Sequence, residues 1–129
     1  MVRSEVIYLD THILVYLAAG DVSRLGTAAR KAIDREELMA SAAAVLELQM
    51  LHEIGRLKPA ASKVLSTLAA AVGLRVCDLP FRTILDHAIS ERWTRDPFDR
   101  LIVANAKAVQ APLLTRDARI LEHYSRALW

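Results

Sequence analysis

"EVIYLDTHILVYLAAG", Glu5 to Gly20, changes its period at a single acid. Glu5 to Leu9 is short and rich in β-branched and aromatic residues, as a buried strand requires, and it ends on Asp10. From Thr11 the chain is apolar and unbroken until Gly20, the pattern of a first helix with a glycine stop. Strand, acid and helix in that order make an α/β opening.

The alternation continues outward from this unit. "SRLGTAARKAIDREE" reads as helical from about Ser23, with Leu25, Ala28, Ala29, Ala32 and Ile33 on one face. Leu38 to Ser41 is short enough for a second strand, and Ser41 caps a helix running to about Arg56. "PAASKVLSTLAAAVG" is a helix opened by Pro59 and closed by Gly73. "LRVCDLP" is a third strand ended by Pro80, and Phe81 to about Arg92 is again helical. A helix from Asp96 to about Val109 leads into "PLLTRD", Pro112 to Asp117, the fourth strand. A short helix from Asp117 to about His123 follows, and "YSRALW" adds a weak edge strand. Strands alternating with helices throughout predict an α/β layer fold with a mainly parallel sheet. Without a repeat, linker or low-complexity tract, residues 1–129 read as one domain.

The 129 residues are 53% hydrophobic and 25% charged, a globular composition with enough chain for one sizeable core. No apolar run approaches the roughly 18 to 20 residues that span a bilayer, so no membrane partner is expected. "MVRSEVIYLD" passes from charges directly into a strand, which predicts no signal peptide and a cytoplasmic location. The single cysteine, Cys77, allows no internal disulfide and reads as a buried thiol in a reducing compartment. The net charge of +2 argues little by itself for nucleic acid. If Asp10, Glu47, Asp96, Asp99 and Asp117 line a metal site, ten acids remain against 17 Lys and Arg. The rest of the protein then carries +7, which suits a polyanion approaching an acidic, metal-loaded pocket.

In open parallel sheets, function gathers beyond the carboxyl ends of the strands. Asp10 follows the first strand and Asp117 the fourth, while Asp96 and Asp99 open the helix that feeds the fourth. That pair has two readings. Asp96 before Pro97 is a regular N-cap, and Asp99 in the first turn complements the helix dipole; both can equally serve a site. Glu47 lies on a stripe with Ala44, Leu48, Leu51 and Ile54, where a lone carboxylate needs a cation, a proton or an edge position reaching water. Several carboxylates without clustered His or Cys select a hard cation bound by oxygen, Mg²⁺ or Mn²⁺ rather than zinc. His12, His52, His87 and His123 show no ligand spacing, although His12 is close to Asp10. No Gly-rich phosphate loop and no serine-nucleophile motif occurs.

"YLDTHILVYL", the Glu47 of "SAAAVLELQMLHEIGRL", "RDPFDRLIVANA" and "LLTRD" occur in that order and at fitting intervals. Together they resemble PIN-domain proteins, in particular the VapC-like toxins of bacterial toxin–antitoxin pairs. The first strand ends in "DTH" rather than the D-x-D of phosphatases with an aspartyl nucleophile. The resemblance spans nearly the whole chain. It implies a three-layer α/β/α sandwich with a four- or five-stranded sheet and a Mg²⁺- or Mn²⁺-dependent endoribonuclease that inhibits translation. Asp10, Glu47, Asp99 and Asp117 match the catalytic, metal-binding acids; Asp96 matches an accessory acid, and Thr11 and Thr115 the hydroxyl residues beside them. The implied partners are single-stranded RNA or a tRNA loop, a cognate antitoxin and a second copy of the chain. The competing readings are a non-catalytic RNA- or protein-binding module and a DNA-directed nuclease of the same fold. Thr94 departs from the family pattern, where many members carry histidine, and so does Asn105, where glutamine is usual.

Overall fold

The computed structural model describes residues 5–129. The first four residues of "MVRSEVIYLD", on which the expectation of no leader partly rests, lie outside the described residues. Five strands form one parallel sheet in the order β3-β2-β1-β4-β5: β1 (Val6–Leu9), β2 (Glu37–Ala40), β3 (Arg75–Val76), β4 (Leu113–Leu114) and β5 (Ala127–Leu128). The strands are short but their register is strict. Leu9 lies opposite Ala40 on one side and Leu114 on the other, so Asp10, Ser41 and Thr115 leave the sheet side by side.

The helices are α1 (Thr11–Ala18), α2 (Thr27–Arg35), α3 (Ala42–Glu53), α4 (Ala61–Val72), α5 (Phe81–Ala88), α6 (Pro97–Ala108) and α7 (Ala118–His123). Parallel strands require crossovers, and crossovers are right-handed almost without exception. Connections that step from β1 to β2 to β3 therefore cover one face, and those leading to β4 and β5 cover the other, which makes three layers. Leu9, Leu113 and Leu114 in the sheet and Ile13, Leu14, Leu48, Leu68 and Ile102 on the helices are fully buried between those layers. Each such side chain contributes roughly 1.5 to 3 kcal/mol of burial.

The Ser41 and Gly73 caps are those expected, whereas α4 starts at Ala61 behind an Ala60 cap, two residues after Pro59. Ser41 accepts from the Ala43 amide at 3.2 Å, and Gly73 closes α4 at a φ of 69°, a left-handed position that suits glycine. Other details also differ from the expectation: α5 ends at Ala88 rather than near Arg92, and the strand of "LRVCDLP" is only Arg75–Val76. The helix read from Ser23 starts at Thr27, because Leu25 and Gly26 are extended and only Val22–Arg24 form a 3₁₀ turn before them. Gly26 is close against the backbone of Trp129, where a Cβ would sit 2.6 Å from a carbonyl carbon. Ile54 falls beyond α3 and is 67% exposed, so the buried stripe of that helix narrows to Ala44 and Leu48. Cys77 is half-buried and accepts from Asn105 Nδ2 at 3.3 Å. Among the described residues, no helix is long and apolar enough to cross a membrane.

Candidate active site

With every strand parallel, all five carboxyl ends share one edge, and the order of strands reverses between β1 and β4. Ligand crevices of α/β sheets form at such reversals. Asp10 stands there with a buried side chain, 5% exposed. One of its oxygens accepts from the Thr11 amide at 2.8 Å and the other from the Thr115 hydroxyl at 2.7 Å. Thr115 in turn accepts from the Asp117 amide at 3.0 Å, tying the turn after β4 to the acid after β1. The Thr11 hydroxyl donates to Glu47 Oε1, so α3's glutamate is drawn toward the same edge. Glu47 is half-buried, which places it at the margin of its apolar stripe and facing Thr11.

Asp96 and Asp117 are both N-caps. Asp96 Oδ1 accepts from the amides of Phe98 at 2.8 Å and Asp99 at 3.3 Å, and Asp117 Oδ1 from those of Arg119 at 2.8 Å and Ile120 at 3.2 Å. Each still has its second oxygen, so capping and site service are compatible. Asp99 differs: among the described residues neither a backbone amide nor a side chain donates to its carboxylate, and its own amide donates to Asp96.

The contrast that matters is with the other buried acid. Glu91 is also buried, at 3% exposure, but Lys107 pairs with it and the Trp93 indole donates to it at 2.6 Å. Asp21, Glu37, Asp86 and Glu5 each have an arginine within 4.0 Å. Among the described residues, none of Asp10, Glu47, Asp96, Asp99 and Asp117 has a Lys, Arg or His at that range. Their charges act on one another instead. Burial first, then the charges of Asp96, Asp10, Asp117 and Glu47, push the Asp99 carboxyl up to about 7. Burial also raises Glu47, against the Thr11 hydrogen bond and with the charges of Asp10 and Asp96. Asp10 is raised by burial too, opposed by the bonds from Thr115 and Thr11. These are the side chains that could hold a cation at this edge.

Carboxylates without histidine or cysteine beside them would suit a hard cation better than zinc. Among the described residues, no three His, Cys, Asp or Glu side chains close tightly enough to cage a metal unaided. A zinc centre needs such a cage, whereas Mg²⁺ keeps several waters and takes one or two carboxylates directly. Asp10 and Asp117 also line an open cleft with His12, Tyr16 and Arg116. Sequence reading left Tyr16 and Arg116 out, because Tyr16 sits in an apolar helix and the two residues lie 100 positions apart.

The PIN domain profile matches residues 7–126, from the first strand to the last turn. The chain belongs to the PIN domain family. PIN domains are in general nucleases. No curated protein matches the chain in sequence. Solved structures share the fold of this PIN domain at low identity. A chain of the VapBC2 complex of Rickettsia felis, bound to a DNA fragment from its promoter, is 18% identical with a TM-score of 0.66, over 96% of this chain and 97% of that one. A toxin–antitoxin complex from Klebsiella pneumoniae gives 16% identity and a TM-score of 0.66, over 95% and 96% of the two chains. VapBC-1 from nontypeable Haemophilus influenzae gives 18% and 0.58, over 96% of each.

Proposed function

We propose that this PIN domain, a single domain over residues 1–129, is a Mg²⁺- or Mn²⁺-dependent endoribonuclease. In this reading it is the cytoplasmic toxin of a toxin–antitoxin pair, which inhibits translation until its antitoxin covers it. The observation that carries the reading is the set of acids at the β1–β4 edge that has, among the described residues, no cationic side chain within 4.0 Å. Asp10, Asp99 and Asp117 would hold the metal, with Glu47 bound directly or through water. Bound there, the ion lowers the pKa of water and offsets charge building on the phosphate.

The chain's own groups do the rest. Thr115 and Thr11 fix Asp10 and Glu47 by hydrogen bonds, so neither carboxylate has to reorganise as charge develops. Glu47, held by the Thr11 hydroxyl, would orient the attacking water and take its proton. The water oxygen bonds to phosphorus, the P–O3′ bond breaks and the leaving 3′ oxygen is protonated. The products are a 5′-phosphate and a 3′-hydroxyl. An open cleft favours single-stranded RNA or an exposed tRNA loop over a duplex.

Exposed apolar side chains on α3 and its C-cap (Leu46, Met50 and Ile54) and on α5 and its C-cap (Phe81 and Ile89) support covered faces, here a homodimer and an antitoxin. A monomer by light scattering would count against the first. Failure of the small protein encoded beside this gene to copurify would count against the second.

The test is cleavage of a mixed RNA pool with Mg²⁺, stopped by EDTA, beside single-stranded DNA. Cleavage of RNA carrying new 5′-phosphates is expected. DNA cut in preference would make it a DNA nuclease, and binding without cleavage a recognition module. Within the site, Asp96→Asn should keep the melting temperature and only partly lower cleavage, since Asn caps about as well as Asp; Asp96→Ala should cost about 0.5 to 2 kcal/mol of stability. Thermal melts and single-turnover rates on the two variants check this.

A further inference from the structure

One cation in the cleft has no counter-ion among the described residues. Two guanidinium groups lie over the Tyr16 ring, that of Arg24 at 5.4 Å from its centroid and that of Arg116 at 5.8 Å. Arg24 is paired with Asp21 at 3.0 Å. Arg116 donates to the Tyr16 hydroxyl at 2.5 Å and, among the described residues, has no carboxylate within 4.0 Å. Yet Asp10 and Asp117 line the same cleft.

Tyr16 explains the restraint. It is 7% exposed on α1, so the core fixes its ring. It offers Arg116 a neutral acceptor and a π face, both attractive to a guanidinium and neither able to cancel its charge. Arg116 itself is exposed and spends one of its five N–H donors on the tyrosine. The remaining donors, in a rigid planar fork, match phosphate geometry better than any other side chain does. A residue serving only to fasten the turn after β4 to α1 would use the same tyrosine bond but would bring no charge to the substrate.

We propose that Arg116 is a phosphate-binding residue for the RNA strand, taking a backbone phosphate next to the one cleaved, with Tyr16 as the residue that positions it. This rests on the ribonuclease reading of the acid cluster, and the test separates the two.

Apparent affinity is read from the protein-concentration dependence of single-turnover RNA cleavage with Mg²⁺, over a series of salt concentrations. Arg116→Ala and Arg116→Gln should each weaken affinity about 10- to 100-fold, the worth of a charge-assisted contact. Both should flatten the plot of log affinity against log salt by about 0.7, the slope of one phosphate on a single strand. Their rates at saturation should stay within about threefold of the parent. Tyr16→Phe should lose about threefold in affinity with the slope nearly kept. A neutral methylphosphonate beside the cleavage point should weaken the parent and leave Arg116→Ala indifferent. Melting temperatures near the parent's establish that the variants fold. Parent-like affinity and slope in both Arg116 variants, or a fall in rate with the slope unchanged, would overturn the inference while the ribonuclease reading stands. A parent that cleaves no RNA would overturn that reading and the inference with it.

Discussion

Asp99→Asn should give a protein that folds at least as well as the parent without metal and has lost its nuclease. The stability half follows from the surroundings of Asp99. Its charge is disfavoured by burial and by four neighbouring acids, and asparagine keeps the shape without the charge. The substitution gives up a first-turn dipole term of roughly 0.3 to 1 kcal/mol, which the relief of repulsion outweighs at pH 8. The activity half follows from the metal's share of the chemistry. Charge stabilisation at phosphorus is worth several kcal/mol, and each 1.4 kcal/mol is tenfold in rate. Cleavage should fall by about 10³-fold or more at any Mg²⁺ concentration. A melt in EDTA and a single-turnover time course on the same two samples check both halves. Parent-like cleavage would leave the second aspartate of "RDPFDR" as part of a helix start and nothing more.

The second large effect is on stability against pH and metal. A carboxyl raised in the folded state takes its proton before the unfolded chain does, whose aspartates titrate near 3.8. For Asp99, the metal-free fold therefore gains stability as pH falls from about 8 through 7, and goes on gaining until the unfolded chain begins to bind protons near 4. This is opposite in sign to an ordinary ion-paired carboxylate. Asp99→Asn should lack that component, so the difference in melting temperature between the two proteins isolates it. Metal reverses the trend, because it binds the ionised form and competes with protons below about pH 7. At 100 times its dissociation constant, Mn²⁺ should stabilise the parent by about 2.7 kcal/mol, roughly 10 °C for a chain of this size. That gain should shrink steadily between pH 8 and pH 6. A gain unaffected by pH, or equal in Asp99→Asn, would remove Asp99 from the metal site.

Local chemistry made much of this fold legible. The Ser41 cap, the Asp96–Pro97 start and the Gly73 stop each depend on neighbours within four residues, and all three stand where sequence reading placed them. The acids following β1 and β4 could be placed on one edge because a parallel sheet leaves no other arrangement for them. Reading failed where tertiary contact overrides pattern. Leu25 and Gly26 interrupt an otherwise helical run, and Gly26 lies against the backbone of Trp129, 103 positions away. Ile54 matches the helical period of α3 but falls past its end, just before Gly55 turns the chain with a φ of 79°. Of the site, Thr11 and Thr115 could be named but their bonds to Glu47 and Asp10 could not, since these join residues 36 and 105 positions apart. Glu91 shows the converse. Nothing in its local sequence marks it as buried, and Lys107, from the far end of α6, completes its ion pair.

The most direct measurement is a calorimetric titration of Mn²⁺ into the metal-free protein at pH 7, repeated in buffers of different ionisation enthalpy. If Asp10, Glu47, Asp99 and Asp117 form one cation site, the parent should bind the ion and release a fraction of a proton, because Asp99 is part-protonated at that pH. Asp99→Asn should bind far more weakly and release less. A parent that shows no binding heat, or that binds Mn²⁺ with the same affinity and proton release as Asp99→Asn, would contradict the metal site from which the rest follows.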